Sequence, residues 1–275
     1  MAYIAVTALS HAGLVRETNE DSLVIGPWTL CGTVTLSPQT LVFPLGRPLV
    51  VAVADGLGGQ PAGEVASALV VRQLASLGPS LEGAESVGDA LSLCNGMVHS
   101  AADGRPELTS MGTTVAGALV LAESLLVFNV GDSRVYHSDR GGLRQVSVDD
   151  SPPPAPGRRT TSIVTQTLGG SRGYSAVTPH IATLPLSGED RYLLCSDGLT
   201  DPLPDEEIDG LLRTHDDDDK AAFALWKAAI EAGGPDNITL ALVRIGTSTG
   251  DTGITESADP AGPADPAGPA NPAGP

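Results

Sequence analysis

Four apolar runs in this chain stop at an aspartate or start from one. Leu49 to Ala54, LVVAVA, stops at Asp55-Gly56, and Arg191 to Ser196, RYLLCS, stops at Asp197-Gly198. Leu125 to Val130 ends at Gly131-Asp132, and Ile238 to Ile245 begins just after Asp236-Asn237. Short apolar runs bounded by such residues read as strands. In antiparallel neighbours the end of one strand lies beside the start of the next. The pattern predicts that these aspartates converge on one edge of a sheet. Carboxylates gathered there repel one another, and desolvation adds to the cost, so they stay ionised only where a cation neutralises them. All-oxygen ligation selects hard ions, Mg²⁺ or Mn²⁺ before Zn²⁺. Gly56 allows close backbone approach, and its carbonyl is a further candidate ligand. A single Asp-Gly reads as a turn. Its recurrence at strand ends, together with Asp236-Asn237, argues for a site.

The remaining pattern sets the fold class. Strands are predicted over 2–9, 49–54, 113–121, 124–130, 133–138, 178–184, 190–195 and 237–245. Helical periodicity occupies 61–77, 84–102, 204–213 and 218–232. Strands outnumber helices and come in hairpin-like runs, so the expectation is an α+β protein with two mainly antiparallel sheets flanked by helices, not a βαβ repeat. The run His215-Asp-Asp-Asp-Asp-Lys220 is expected to be a solvated cap or loop, because consecutive side chains do not converge on one point.

Composition bounds the rest. The 275 residues carry 15 Lys and Arg against 33 Asp and Glu, a net charge of −18. No basic stretch follows a phosphate backbone, so nucleic-acid binding is not expected. No apolar run is long enough to span a membrane, and no basic region precedes an apolar stretch at the N-terminus, so the expected location is the cytoplasm. Three well-separated cysteines, Cys31, Cys94 and Cys195, form no disulfide framework and fit a reducing compartment. Cys195 lies in an apolar strand and reads as a structural thiol. The closing residues repeat ADPAGP, ADPAGP, ANPAGP, which excludes helix and sheet. The domain is therefore placed at 1–246, with a disordered Pro/Ala/Gly-rich tail at 247–275.

Near the N-terminus, Arg16 precedes Asn19-Glu20-Asp21. An arginine beside a cation centre is a natural fork for phosphate. Together with Gly63-Glu64-Val65-Ala66, Met111-Gly112-Thr113-Thr114, Asn129 to Arg134, Leu168-Gly169-Gly170, Ser196 to Asp201 and Asp236 to Thr239, these pieces stand in one order along the chain. In that order they resemble the metal-dependent protein phosphatase family, protein phosphatase 2C type, in its bacterial form. The resemblance spans about residues 5–244. It implies a four-layer α-β-β-α sandwich and hydrolysis of phosphoserine and phosphothreonine in proteins, with a metal-bridged water attacking phosphorus in line. It implies two Mn²⁺ or Mg²⁺ ions and a weaker third. Asp55 would bridge the pair, Gly56 would offer its carbonyl, and Asp197 and Asp236 would complete the first site. Glu20 and Asp21 would hold bound waters or ligate directly, Asp132 with Asp197 would form the third position, and Arg16 would grip the phosphate. The Gly112-Thr113-Thr114 turn would be structural support. Phosphoprotein substrates, an opposing Ser/Thr kinase system and a monomeric chain are the implied partners and state.

Two departures stand out. Leu57 occupies the position where many eukaryotic relatives carry a histidine proposed as general acid. Asp149-Asp150-Ser151 and a Pro-rich run replace the usual Asp-His-Ser and a longer flap, which leaves a shortened flap at about 150–162 and predicts a more open site with weak sequence preference. Two alternatives stay open: a non-catalytic relative that binds phosphoprotein, and a hydrolase of small phosphate esters.

Overall fold

The structure, a computed structural model, describes residues 2–57, 62–157, 160–186 and 190–247. The expected tail lies, beyond Thr247, outside the described residues. Among these, strands β1 (Ala2–His11), β2 (Ser22–Ile25), β3 (Trp28–Cys31), β4 (Gln39–Pro44), β5 (Leu49–Ala54) and β6 (Gly56–Leu57) precede helices α1 (Ala62–Leu77) and α2 (Ala84–Ala102). Strands β7 (Gly112–Thr113), β8 (Val115–Val120), β9 (Ser124–Val130), β10 (Arg134–Asp139), β11 (Gly142–Gln145), β12 (Leu168–Gly169), β13 (His180–Pro185) and β14 (Arg191–Cys195) follow. Helices α3 (Asp197–Thr200), α4 (Asp205–Thr214) and α5 (Asp218–Glu231) then lead to β15 (Ile238–Thr247).

Two six-stranded sheets form, ordered β11-β10-β14-β15-β1-β4 and β13-β9-β8-β5-β2-β3, with all pairings antiparallel. A third, three-stranded sheet, β12-β7-β6, lies beside them. The period-two alternation of strands explains the layering. Along β5, Leu49, Val51 and Val53 enter the core between the two large sheets, while Val50, Ala52 and Ala54 pack under α1 and α2. Along β15, Ala241, Val243 and Ile245 face the inter-sheet core, and Leu240 and Leu242 face α4 and α5. The result is the expected α-β-β-α sandwich. Aromatics make up only 3% of the chain, so Val, Leu and Ala fill most of the core. Phe128 is an exception, and its ring fits because Gly117 stands opposite it across β8 and β9.

The segment His215–Lys220 departs from expectation. Asp217 caps α5, its carboxylate accepting from the Lys220 amide at 2.9 Å. Asp218 is not solvated: it ion-pairs with the buried Arg191 and, at 2.8 Å, with Arg244. Consecutive aspartates do not converge, but one of them meets cations from β14 and β15 that sequence spacing does not reveal.

Candidate active site

The strand ends deliver the aspartates to one pocket, but from both sheets rather than from the edge of one. Asp55 and Asp132 follow β5 and β9 of one sheet, while Asp197 follows β14 and Asp236 precedes β15 of the other. All four line a cavity of about 240 Å³, joined by Arg16, Glu20 and the backbone of Gly56. Asp132 and Asp197 also line an adjoining cavity of about 220 Å³ with Arg134, Asp149 and Asp201. Asp21 does not line the pocket. It sits fully buried behind it, accepting from Ser196 Oγ at 2.7 Å.

Local contacts fix each group. The Asp55 carbonyl accepts from the Thr114 amide at 2.9 Å and from Thr113 Oγ1 at 2.8 Å, and the Asp55 amide donates to Thr114 Oγ1 at 3.1 Å. The Gly112-Thr113-Thr114 turn thus grips the backbone of Asp55. Asn237 ties the N-terminal loop to β15: its Oδ1 accepts from the Glu20 amide at 2.8 Å, and its Nδ2 donates to the carbonyls of Ala12 and Thr18. A Cβ on Gly56 would strike the carbonyls of Gly63 and Glu20, so this approach admits no side chain. The Glu20 carboxylate lies against Gly63 in the first turn of α1, where the positive end of the helix favours an anion.

The electrostatics are those of crowded carboxylates. Burial first, then the neighbouring Asp197, Asp21 and Asp236, pushes the Asp55 carboxyl well above its usual range. Burial, Asp132, Asp201 and Asp236 do the same to Asp197. Burial lifts Asp21 to about 7 and Asp132 to about 6. No three His, Cys, Asp or Glu side chains among the described residues form a closed ligand cage. Part of this charge is offset by Arg16, whose Nη2 lies 2.6 Å from Asp236 Oδ2. A cation can replace that contact. One oxygen each of Asp21 and Asp197 is buried with no partner among the described residues. Unsatisfied carboxylate oxygens in an all-oxygen donor set fit a hard divalent cation.

Some pocket residues were not singled out from sequence. Ser162 and Val164, from the segment after the Pro-rich run, line its wall with Leu57. That segment is pinned through Asp150, whose carboxylate accepts from the Gly131 amide at 2.8 Å and from Gln166 Nε2 at 2.9 Å and meets His180 Nε2 at 2.9 Å. The cysteines stay out of the chemistry: burial pushes the Cys94 and Cys195 thiols to about 12, and all three cysteines are free.

A two-sheet sandwich that gathers carboxylates from both sheets around one pocket defines a fold suited to holding divalent cations. Comparison with known proteins narrows this. The family model described as "Protein phosphatase 2C" matches residues 41–233. The serine/threonine protein phosphatase PstP of Mycobacterium tuberculosis is 32% identical over 86% of this chain and 44% of its own length. This chain thus spans less than half of that relative. The serine/threonine phosphatase stp of Listeria welshimeri is 32% identical over 72% of this chain and 84% of its own. Among solved structures, the PstP catalytic domain in complex with two manganese ions superposes with a TM-score of 0.72 at 32% identity, covering 90% of this chain and 100% of that one. Stp1 from Staphylococcus aureus superposes at 0.73 with 26% identity, covering 88% and 95%. The chain belongs to the protein phosphatase 2C family.

Proposed function

We infer that this chain hydrolyses phosphoserine and phosphothreonine in proteins with the help of divalent cations. The observation that carries this reading is the meeting of Asp55, Asp132, Asp197 and Asp236 in one pocket with partnerless buried carboxylate oxygens. Asp55, the Gly56 carbonyl, Asp197 and Asp236 would hold two Mn²⁺ or Mg²⁺ ions, with Glu20 and Asp21 supporting them and Asp132 with Asp197 offering a weaker third position. When bound, such ions lower the pKa of a water and offset charge on phosphoryl oxygens. The protein's own part is positioning. Thr113 and Thr114 hold the Asp55 backbone, Asn237 fixes Glu20, and Arg16, which here contacts Asp236, would fork onto the substrate phosphate. No histidine stands at Leu57 to protonate the leaving group. No cysteine is among the described residues that line the pocket, which fits direct attack by water without a phosphoenzyme.

The substrates of this reading are phosphoproteins, opposed by a Ser/Thr kinase system, and the chain works as a monomer in the cytoplasm. Among the described residues no helix is long and apolar enough to cross a membrane. The test is release of phosphate from a phosphothreonine peptide with Mn²⁺, then with EDTA, then with Asp197→Ala. Activity should appear only in the first. Full activity in the Asp197→Ala variant would overturn the assignment, and faster turnover of nucleotides than of phosphoprotein would favour a small-ester hydrolase.

A further inference from the structure

A larger cavity, of about 690 Å³, opens between the C-terminal end of α2 and the loop 171–174, and it shares no residue with the carboxylate pocket. Its charge is unusual for this molecule. The chain carries −18 overall, and Arg16, Arg134, Arg191, Arg213 and Arg244 are each paired with a carboxylate. Among the described residues Arg47, Arg72, Arg105 and Arg172 have no acceptor, and Arg105 and Arg172 both line this cavity. Asp103 is its one acidic wall residue, and Ser100, Thr109 and Ser171 add hydroxyls.

The walls are pre-positioned. Asn95, fully buried in α2, clamps the loop at both ends: its Oδ1 accepts from the Gly169 amide at 2.9 Å, and its Nδ2 donates to the Ser175 carbonyl at 2.7 Å. The ring of His99 meets Tyr174 edge-on at 5.4 Å. Burial lowers the His99 pKa, so positive charge comes from the two guanidinia alone. His99 Nε2 is a buried polar atom without a partner in that wall.

We propose that this cavity is a second phosphoryl-binding pocket, separate from the carboxylate site, in which Arg105 and Arg172 clamp a phosphate dianion. Two planar forks and nearby hydroxyl donors suit a doubly charged tetrahedral anion better than a carboxylate, which occupies one fork. Free phosphate and a phosphorylated protein segment share this chemistry. The three-stranded sheet places the pocket near the catalytic centre: β12 pairs with β7 and β7 with β6, so two strand spacings, about 10 Å, separate the backbones of Leu168 and Gly56.

Calorimetric titration of the full chain with inorganic phosphate in EDTA tests this independently of catalysis, because the metal-free carboxylate pocket repels anions. One phosphate per chain should bind, with acetate at least tenfold weaker. Arg105→Ala/Arg172→Ala should lose at least tenfold in affinity, and Arg105→Lys/Arg172→Lys, which keeps charge without the fork, should lose less. Arg47→Ala should bind as the parent does. Both pocket arginines are exposed, so an unchanged melting temperature checks the fold of the variants. A phosphothreonine peptide in the same titration separates the sources: tighter binding than inorganic phosphate assigns the pocket to phosphoprotein, equal binding to free phosphate. No binding, or binding that survives Arg105→Ala/Arg172→Ala, overturns the proposal. Neither result bears on whether the carboxylate site hydrolyses phosphate esters.

Discussion

Arg16 is more than half exposed and its partner Asp236 about one-third, so their ion pair contributes at most about 1 kcal/mol to stability. In the function proposed above, its guanidinium is offered to a substrate phosphate instead. Arg16→Ala should therefore leave the melting temperature almost unchanged while lowering kcat/KM by about 10²-fold, the order expected when one group that stabilises transition-state charge is removed. Arg16→Lys should recover only part of that loss, because an ammonium lacks the fork. Steady-state kinetics on a phosphothreonine peptide checks both. A variant that melts much lower than the parent would mean that Arg16 serves the fold first. At this scale the sequence was informative where chemistry is written in adjacent residues: Asp55-Gly56, Asp197-Gly198 and Asp236-Asn237 each end or start a strand. It was silent on the Arg16–Asp236 contact, which joins residues 220 positions apart.

Between elements, two features carry measurable consequences. Asp218, at the start of α5, links Arg191 of β14 and Arg244 of β15. Removing one member of a buried ion pair strands the other in a poorly solvated site. Asp218→Ala should cost about 3 kcal/mol in denaturant unfolding, and Asp216→Ala, which keeps the ion pairs, far less. Similar midpoints for the two would remove Asp218 from this role. Among the described residues of 150–164, Ser162 and Val164 stand on the pocket wall, in keeping with the expected shortened flap. Phosphopeptide profiling should accordingly find shallow preferences around the phosphorylated residue, and steep discrimination would count against an open site. The main strands and long helices were legible because apolar period and strand-end turns agree. Strands β2, β3, β4 and β11 were missed, and β6, β7 and β12, two residues each, are too short a pairing to carry periodicity of their own.

For the molecule as a whole, the carboxylate cluster sets a dependence on pH and cation. Asp21, Asp55, Asp132 and Asp197 all have folded pKa values above those of an unfolded chain, with Asp21 at about 7 and Asp132 at about 6. The folded state therefore binds more protons than the unfolded one from about pH 4 upward, and stability falls as pH rises through the folded values. In EDTA the melting temperature should drop as the pH rises from about 4 to about 7. Mn²⁺ should raise it most at the upper end, where protons no longer compete for the oxygens. A metal effect that is equal at pH 5 and pH 8 would place the ion elsewhere.

Asp55 and Asp132 hang from one sheet, Asp197 and Asp236 from the other. An ion held among them is a rivet through the sandwich. Loading it and clamping the two layers are one event, so amides of β5 and β14 should exchange more slowly in the loaded protein. Cation supply would then govern how long the chain resists proteolysis as well as how fast it works.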